Sequence, residues 1–288
     1  MLTLLLSIIV GLAAILGIMA LGLHFAYRPP RTPGNHTPAD HDIPYQNLSL
    51  ITPAGNRLSA WYLASSQDAP VIIILHGWGA SSGLMLPLAV PLYRHGFNIL
   101  MLDARNHGHS DSEGQSSLPR FAEDLHLAIE YLQTQAHMHN GQIILMGHSV
   151  GAGAVLYEAS KRRDIAAVIS LSAFAHPDWV MRRQLERFPL PGFVLTAILQ
   201  YIQWIIGTSF SSIAPMNTAC KVQCPVLLVH GDKDKMVPLS DAYAIQKNCR
   251  DKTLALLLIR GGGHNASNKI RHHIDDLLAF LREAGVIV

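Results

Sequence analysis

The sequence predicts an open, mostly parallel α/β sheet with an N-terminal antiparallel hairpin, a helical insert late in the domain and one transmembrane helix ahead of it. Three observations carry this expectation. Val71–Leu75, Ile99–Leu102, Ile143–Met146, Ala166–Leu171, Val226–Val229 and Leu254–Ile259 are short runs that are apolar at almost every position. Runs apolar on both faces suit strands covered on both sides, as in a parallel sheet. Longer amphipathic stretches, such as Phe121–Gln135 and Ile270–Leu281, alternate with them. The first two apolar segments differ, because Leu48–Thr52 and Leu58–Leu63 flank Pro53-Ala54-Gly55-Asn56, a turn cluster that makes them a hairpin.

Composition bounds the rest. A chain of 288 residues is one ordinary domain or two small ones. Its 49% hydrophobic and 15% charged residues exclude disorder and point to some membrane-bound mass. Lys plus Arg is 22 and Asp plus Glu is 20, a formal charge of +2, which argues against nucleic acid as a partner. Cys220, Cys224 and Cys249 are too few for a disulfide scaffold, and Cys220 and Cys224 are spaced too widely for a C-x-x-C redox motif. Reduced thiols are expected.

The N-terminus supplies the membrane-bound mass. From Leu2 to Leu23 no residue is charged, and a helix of that length spans about 33 Å, enough for a bilayer core. A cleaved signal would have a basic start and a shorter apolar run, so residues 1–24 read as a single-pass anchor. Arg28 and Arg31 follow it and favour a cytoplasmic body, which reduced thiols would suit. Residues 25–45, rich in proline, read as an extended linker. Residues 46–288 read as one domain with no visible repeat.

In such a sheet, ligands sit beyond the carboxyl ends of the strands. After Met146 stands Gly147-His148-Ser149-Val150-Gly151, a G-x-S-x-G between a strand and a helix start. Glycines two before and two after permit the sharp turn that exposes a serine hydroxyl. After the Val226 strand come Asp232 and Asp234, and after the last strand Gly261-Gly262-Gly263-His264. A serine nucleophile needs a base to take its proton and a carboxylate to fix that base's tautomer. Three loops deliver the three types in the order Ser, Asp, His, with both aspartates open for the acid. Acyl transfer also needs N–H groups for a developing oxyanion. Val150 and the loop holding Trp78, in Leu75-His76-Gly77-Trp78-Gly79, are placed to offer them.

These segments, together with Asp103-Ala104-Arg105-Asn106-His107-Gly108-His109-Ser110 and the stretch from His230 to Pro238, resemble the α/β-hydrolase superfamily over nearly the whole body. The closest likeness is to its serine aminopeptidase-like, monoacylglycerol-lipase-like and membrane-anchored esterase branch. That resemblance implies Ser149 as nucleophile, Asp234 as acid, His264 as base, and Trp78 and Val150 as oxyanion donors. It implies a small-molecule acyl substrate and no metal or organic cofactor, and an apolar lid beside a bilayer favours a lipophilic ester. Many relatives carry Gly where Asn106 stands.

Rival readings exist. His107, His109 and Asp111 form H-x-H-x-D, a spacing that zinc hydrolases use, although the residue after the acid is Ser112 rather than histidine. His137, His139, His272 and His273 read as surface. An aminopeptidase would draw on Asp178 and Glu186 to hold a substrate amine, and a binding protein on the same fold would lack a reactive serine. About 50 residues, 173–220, separate two strands and must hold helices of their own, a lid by resemblance. Phe193–Ile206 is almost wholly apolar apart from a stripe of Thr196, Gln200 and Gln203. It is expected to pack over the site; the sharper alternative has its outer face meet lipid beside Arg182, Arg183 and Arg187.

Overall fold

The computed structural model describes residues 28–32, 34–135, 141–249, 254–265 and 267–287, with positions 3, 6, 7, 10, 11, 17 and 22 ahead of them. The expected anchor therefore lies almost wholly outside the described residues, as do His137 and His139. Among the described residues no helix is long and apolar enough to cross a membrane.

Each apolar run forms a strand. β1 (Gln46–Ile51) and β2 (Arg57–Leu63) make the hairpin, followed by β3 (Val71–Leu75), β4 (Asn98–Leu102), β5 (Ile143–His148), β6 (Ile165–Leu171), β7 (Val226–Gly231) and β8 (Ala255–Ile259). The sheet order is β1-β2-β4-β3-β5-β6-β7-β8. β1 with β2 and β2 with β4 pair antiparallel, and every later pair is parallel. The hairpin closes because the Thr52 N–H donates to the Asn56 oxygen at 2.8 Å and Gly55, at φ 85°, takes the left-handed turn.

Strand side chains alternate between two cores. Val71, Ile73 and Leu75 of β3 face a layer that holds α2 (Leu118–Thr134) and α3 (Val150–Ala159), through residues such as Phe121, Leu125 and Val155. Ile72 and Ile74 face the other layer, with α1 (Leu86–Arg94) and α9 (Ile274–Glu283) supplying Leu88, Leu92, Leu277 and Leu281. Burying one such side chain contributes about 1.5–3 kcal/mol, so a central strand read as a solid apolar run has both faces stabilised. β8 departs from that reading. It pairs only with β7, as the last strand in the order, and Leu258 is 38% exposed.

The insert holds α4 (Pro177–Leu185), α5 (Gly192–Ile206), α6 (Phe210–Ile213) and α7 (Pro215–Thr218), and β7 is followed by α8 (Leu239–Asn248). α5 turns Ile198, Leu199 and Ile202 inward and leaves Phe193 and Trp204 more than three-quarters exposed. Two of the three arginines expected to meet headgroups are already engaged. Arg182 binds Asp178 at 2.6 Å and Arg183 binds Asp241 at 2.8 Å.

The expectation of reduced thiols is overturned. Cys220, at the exit of the insert, is bonded to Cys249, at the end of α8, across a sequence separation of 29. α7 packs on α8, and Asn248 Nδ2 donates to the Met216 oxygen at 2.9 Å, so tertiary packing joins two cysteines whose spacing carries no motif. Disulfides persist in oxidising compartments, which removes the cysteine argument for a cytoplasmic body.

The proline-rich segment does not stand away from the body over its described part. The Gly34 N–H donates to Ser81 Oγ at 3.2 Å, Ile43 is buried, and Pro30 is seated against Gly79.

Candidate active site

Ser149 stands between β5 and α3 at φ 56° and ψ −115°, a conformation that side-chain-bearing residues rarely adopt. Its neighbours show why the turn needs glycines. A Cβ on Gly147 would strike the Gly151 oxygen, and one on Gly151 would strike the carbonyls of Leu75 and His76. The Ser149 N–H, bonded to the Leu171 oxygen at 2.9 Å, ties the turn to the end of β6.

The loops after β7 and β8 converge on this serine. His264 Nε2 lies 2.9 Å from Ser149 Oγ, and His264 Nδ1 lies 2.8 Å from Asp234 Oδ2. Asp234 is buried, and its Oδ1 accepts the N–H groups of Met236 at 2.9 Å and Val237 at 2.8 Å. Burial alone would raise this carboxyl. The bonds from His264, Val237 and Met236 outweigh it and hold the group below the ordinary carboxylate value. A carboxylate therefore faces Nδ1, which keeps the proton there and leaves Nε2 to accept from a hydroxyl. Asp232, the other candidate acid, is committed elsewhere, because its Oδ1 accepts the Gly261 N–H at 2.6 Å.

The loop after β3 completes the surroundings. A Cβ on Gly77 would lie 3.2 Å from Ser149 Cβ, so this backbone runs directly against the serine. His76, buried, pins it by donating Nδ1–H to the Gly77 oxygen at 2.7 Å and accepting the Ala104 N–H on Nε2 at 3.1 Å. Val150 is the first residue of α3, and N–H groups in a helix's first turn have no intrahelical acceptor. Trp78 and Val150 both line the cavity that holds Ser149 and His264. That cavity measures about 820 Å³ and runs under the insert, past Leu118, Phe174, Ile202, Phe210 and Ile213. Its described lining contains no Asp, Glu, Lys or Arg.

The H-x-H-x-D residues do not converge. His107 is buried with its Nδ1–H on the Arg105 oxygen at 2.8 Å and its ring against Phe121. The His109 N–H binds Asp103, and Asp111 accepts the Arg57 N–H at 2.8 Å. Among the described residues no group of three His, Cys, Asp or Glu stands together as a ligand set. Asp103 and Arg105 organise this loop, Arg105 through Nε on Asp124 at 2.7 Å. Asn106 sits at φ 67°, the left-handed region that glycine and, less often, asparagine tolerate.

Sequence reasoning passed over His148, whose Nε2 lies 2.8 Å from the His264 carbonyl oxygen. Its place as the variable residue of G-x-S-x-G gave no sign of this. It also passed over Asp241, which a helix-start aspartate pattern could have flagged only as a cap.

A family model described as alpha/beta hydrolase fold matches residues 70–197. Among curated proteins, the chain is 25% identical over 256 residues to an uncharacterised membrane protein of Saccharomyces cerevisiae, covering 88% of this chain and 86% of the relative. It is 25% identical over 267 residues to a bifunctional esterase/perhydrolase of Acinetobacter calcoaceticus, covering 75% and 93%. Among solved structures, an esterase of Pyrococcus furiosus superposes with a TM-score of 0.72 at 22% identity, over 89% of this chain and 97% of that one. A thioesterase domain from the curacin biosynthetic pathway superposes at 0.59 with 17% identity, over 82% and 99%. Sheet order, strand-end loops and these likenesses agree, and the chain is an α/β-hydrolase-fold protein.

Proposed function

We propose that the protein is a serine hydrolase that cleaves a lipophilic acyl ester through a covalent acyl-Ser149 intermediate. The observation that carries this reading is the unbroken series Ser149 Oγ, His264, Asp234, with steps of 2.9 and 2.8 Å. His264 Nε2 takes the hydroxyl proton as Oγ attacks the acyl carbon, and Asp234 stabilises the imidazolium that forms. The tetrahedral oxygen rests on the N–H groups of Trp78 and Val150. Collapse expels the alkoxide, which leaves with the proton from His264. Water then attacks the acyl-enzyme by the same steps in reverse and releases the acid. None of these steps calls on a metal or organic cofactor.

The cavity supports the choice of substrate. An apolar lining without charged side chains suits a neutral acyl group and offers no counter-charge to a substrate amine. Asp178 is paired with Arg182, and Glu186 is exposed outside the cavity lining, which weakens the aminopeptidase reading. The exposed Phe193 and Trp204 on α5, and the uncharged stretch from Leu2 to Leu23, support a membrane-anchored enzyme drawing substrate from lipid. With Cys220 bonded to Cys249, the body belongs on the oxidising face of that membrane.

The test is labelling of the full chain with a fluorophosphonate probe, wild type against Ser149→Ala. Labelling of wild type alone is expected. A folded wild type that takes no label, or a Ser149→Ala variant that labels equally, overturns the reading.

A further inference from the structure

We propose that His148 is a positioning residue for the reaction above: by donating Nε2–H to the carbonyl oxygen of His264, it holds the base's backbone, and with it the imidazole, in reach of Ser149. The inference rests on the serine-hydrolase reading.

The glycine run ahead of His264 creates the need. Gly261, Gly262 and Gly263 give the loop close access to the site, at the cost of backbone freedom that must be removed for the ring to be held still. The loop is fastened as far as Gly262, whose N–H binds the Ile259 oxygen at 3.0 Å and whose oxygen accepts the Lys233 N–H at 2.9 Å. Beyond that point, through Asn265, the hydrogen bonds between described residues are those of His264 itself: its ring to Asp234 and Ser149, and its carbonyl to His148. Ring bonds alone leave an imidazole free to move with its backbone. The bond to His148 fixes that backbone from outside the triad.

His148 is suited to this because it ends β5, one residue before Ser149. The same rigid strand end thus supplies the nucleophile and the tether for its base. The two rings lie with centroids 5.1 Å apart. A carbonyl oxygen only accepts, so the tether requires hydrogen on Nε2. Nδ1 then faces the loop after β3, where a Cβ on Gly77 would lie 3.0 Å away. The titratable groups facing His148 are His264, Asp234 and His76. Removal from solvent pushes its imidazole down to about 4, so it stays neutral while His264 works.

The experiment compares His148→Ala and His148→Gln in the full chain, with p-nitrophenyl butyrate turnover and fluorophosphonate labelling as readouts. Loss of the tether in His148→Ala should lower kcat roughly ten- to a hundredfold, the scale of a small misplacement at a reacting centre. KM should change far less than kcat, because His148 is one residue among many that line the cavity and the apolar side chains under the insert stay in place. Glutamine carries an N–H donor at similar reach, so His148→Gln should recover most of the lost kcat. Its kcat/KM should show the acid limb of wild type, since a neutral group replaces a neutral group. A purely structural role would not produce that split or that rescue. Equal impairment of the two variants, or a wild-type kcat in His148→Ala, overturns the proposal. If His148→Ala does not fold, the glutamine variant decides: a kcat near wild type supports the tether and a kcat far below it overturns it. Failure of wild type to label at Ser149 sinks the hydrolase reading itself, whereas a labelled wild type with two equally impaired variants sinks only the tether.

Discussion

Arg183 closes a two-point ion pair on Asp241, Nη1 to Oδ1 and Nη2 to Oδ2, each at 2.8 Å. Asp241 is 1% exposed and also accepts the Ala175 N–H at 3.0 Å. The entry of the insert therefore hangs on the first turn of α8, and the Cys220–Cys249 bridge hangs its exit on the residue that caps the end of the same helix. Both ends of the lid are fastened to the helix that follows the Asp234 loop.

Arg183→Ala strands a buried carboxylate, and breaking such a pair is costly. With the arginine partly solvated, a loss on the order of 2 kcal/mol is expected. Hydrogen exchange should rise in residues 175–206 and stay unchanged in β3 and β5. Exchange that rises uniformly, or not at all, would show that the pair does not anchor the lid.

Much of this fold was legible because of one physical pattern. β3 spans Val71–Leu75 as expected, since a strand buried on both faces has no polar position to blur its ends. α2 begins three residues before its apolar period, because Ser117 caps it by accepting the Arg120 N–H at 3.4 Å and Pro119 fits the first turn. The crossover that puts β4 between β2 and β3 left no trace in the chain, being a matter of which surfaces meet. Ser149 and His264 were readable from glycines that only a tight loop requires. Between Asp232 and Asp234, spacing alone was silent; the geometry separates them, since one clasps the Gly261 N–H and the other the imidazole. His148 and the disulfide were illegible for the same reason: each depends on a partner brought from a distant loop.

Asp234→Asn should reduce turnover about 10³–10⁴-fold while leaving KM and the folded geometry nearly unchanged. The Met236 and Val237 N–H groups require an oxygen at Oδ1, so the amide nitrogen must take the Oδ2 position opposite His264 Nδ1. Facing a donor, Nδ1 loses its proton to Nε2, and the ring can no longer accept from Ser149. Steady-state kinetics on a folded Asp234→Asn sample checks this. Activity within tenfold of wild type would mean the carboxylate does not set the tautomer.

The bridge closes a loop between Cys220 and Cys249 across a sequence separation of 29, for which chain entropy gives about 3–4 kcal/mol of stabilisation. Cys220→Ser should lower the urea midpoint accordingly. Reduction of wild type should do the same, and Cys224→Ser should leave the response to reductant intact. A melting temperature indifferent to reductant would refute the bridge in solution.

Acid should unfold the protein earlier than its carboxylates alone would dictate. Burial pushes both His107 and His148 down to about 4, with the neighbouring His76 adding to the effect on His107. In the unfolded chain these imidazoles take up protons near pH ~6.5. Between those values the unfolded state binds more protons than the folded one, so stability falls as pH drops and levels off below the folded pKa. Each ring contributes a loss on the order of 2 kcal/mol by about pH 5. The Asp234 carboxylate, held below its ordinary value, contributes only at lower pH, where its stabilisation is lost on protonation. Urea midpoints stepped through this range check the slope. His107→Phe, which fills the place against Phe121 without a titrating nitrogen, should be less stable at neutral pH for want of the bond to Arg105, yet show the shallower slope. A wild-type profile flat down to about pH 5 would mean that these imidazoles are hydrated and charged in the folded protein.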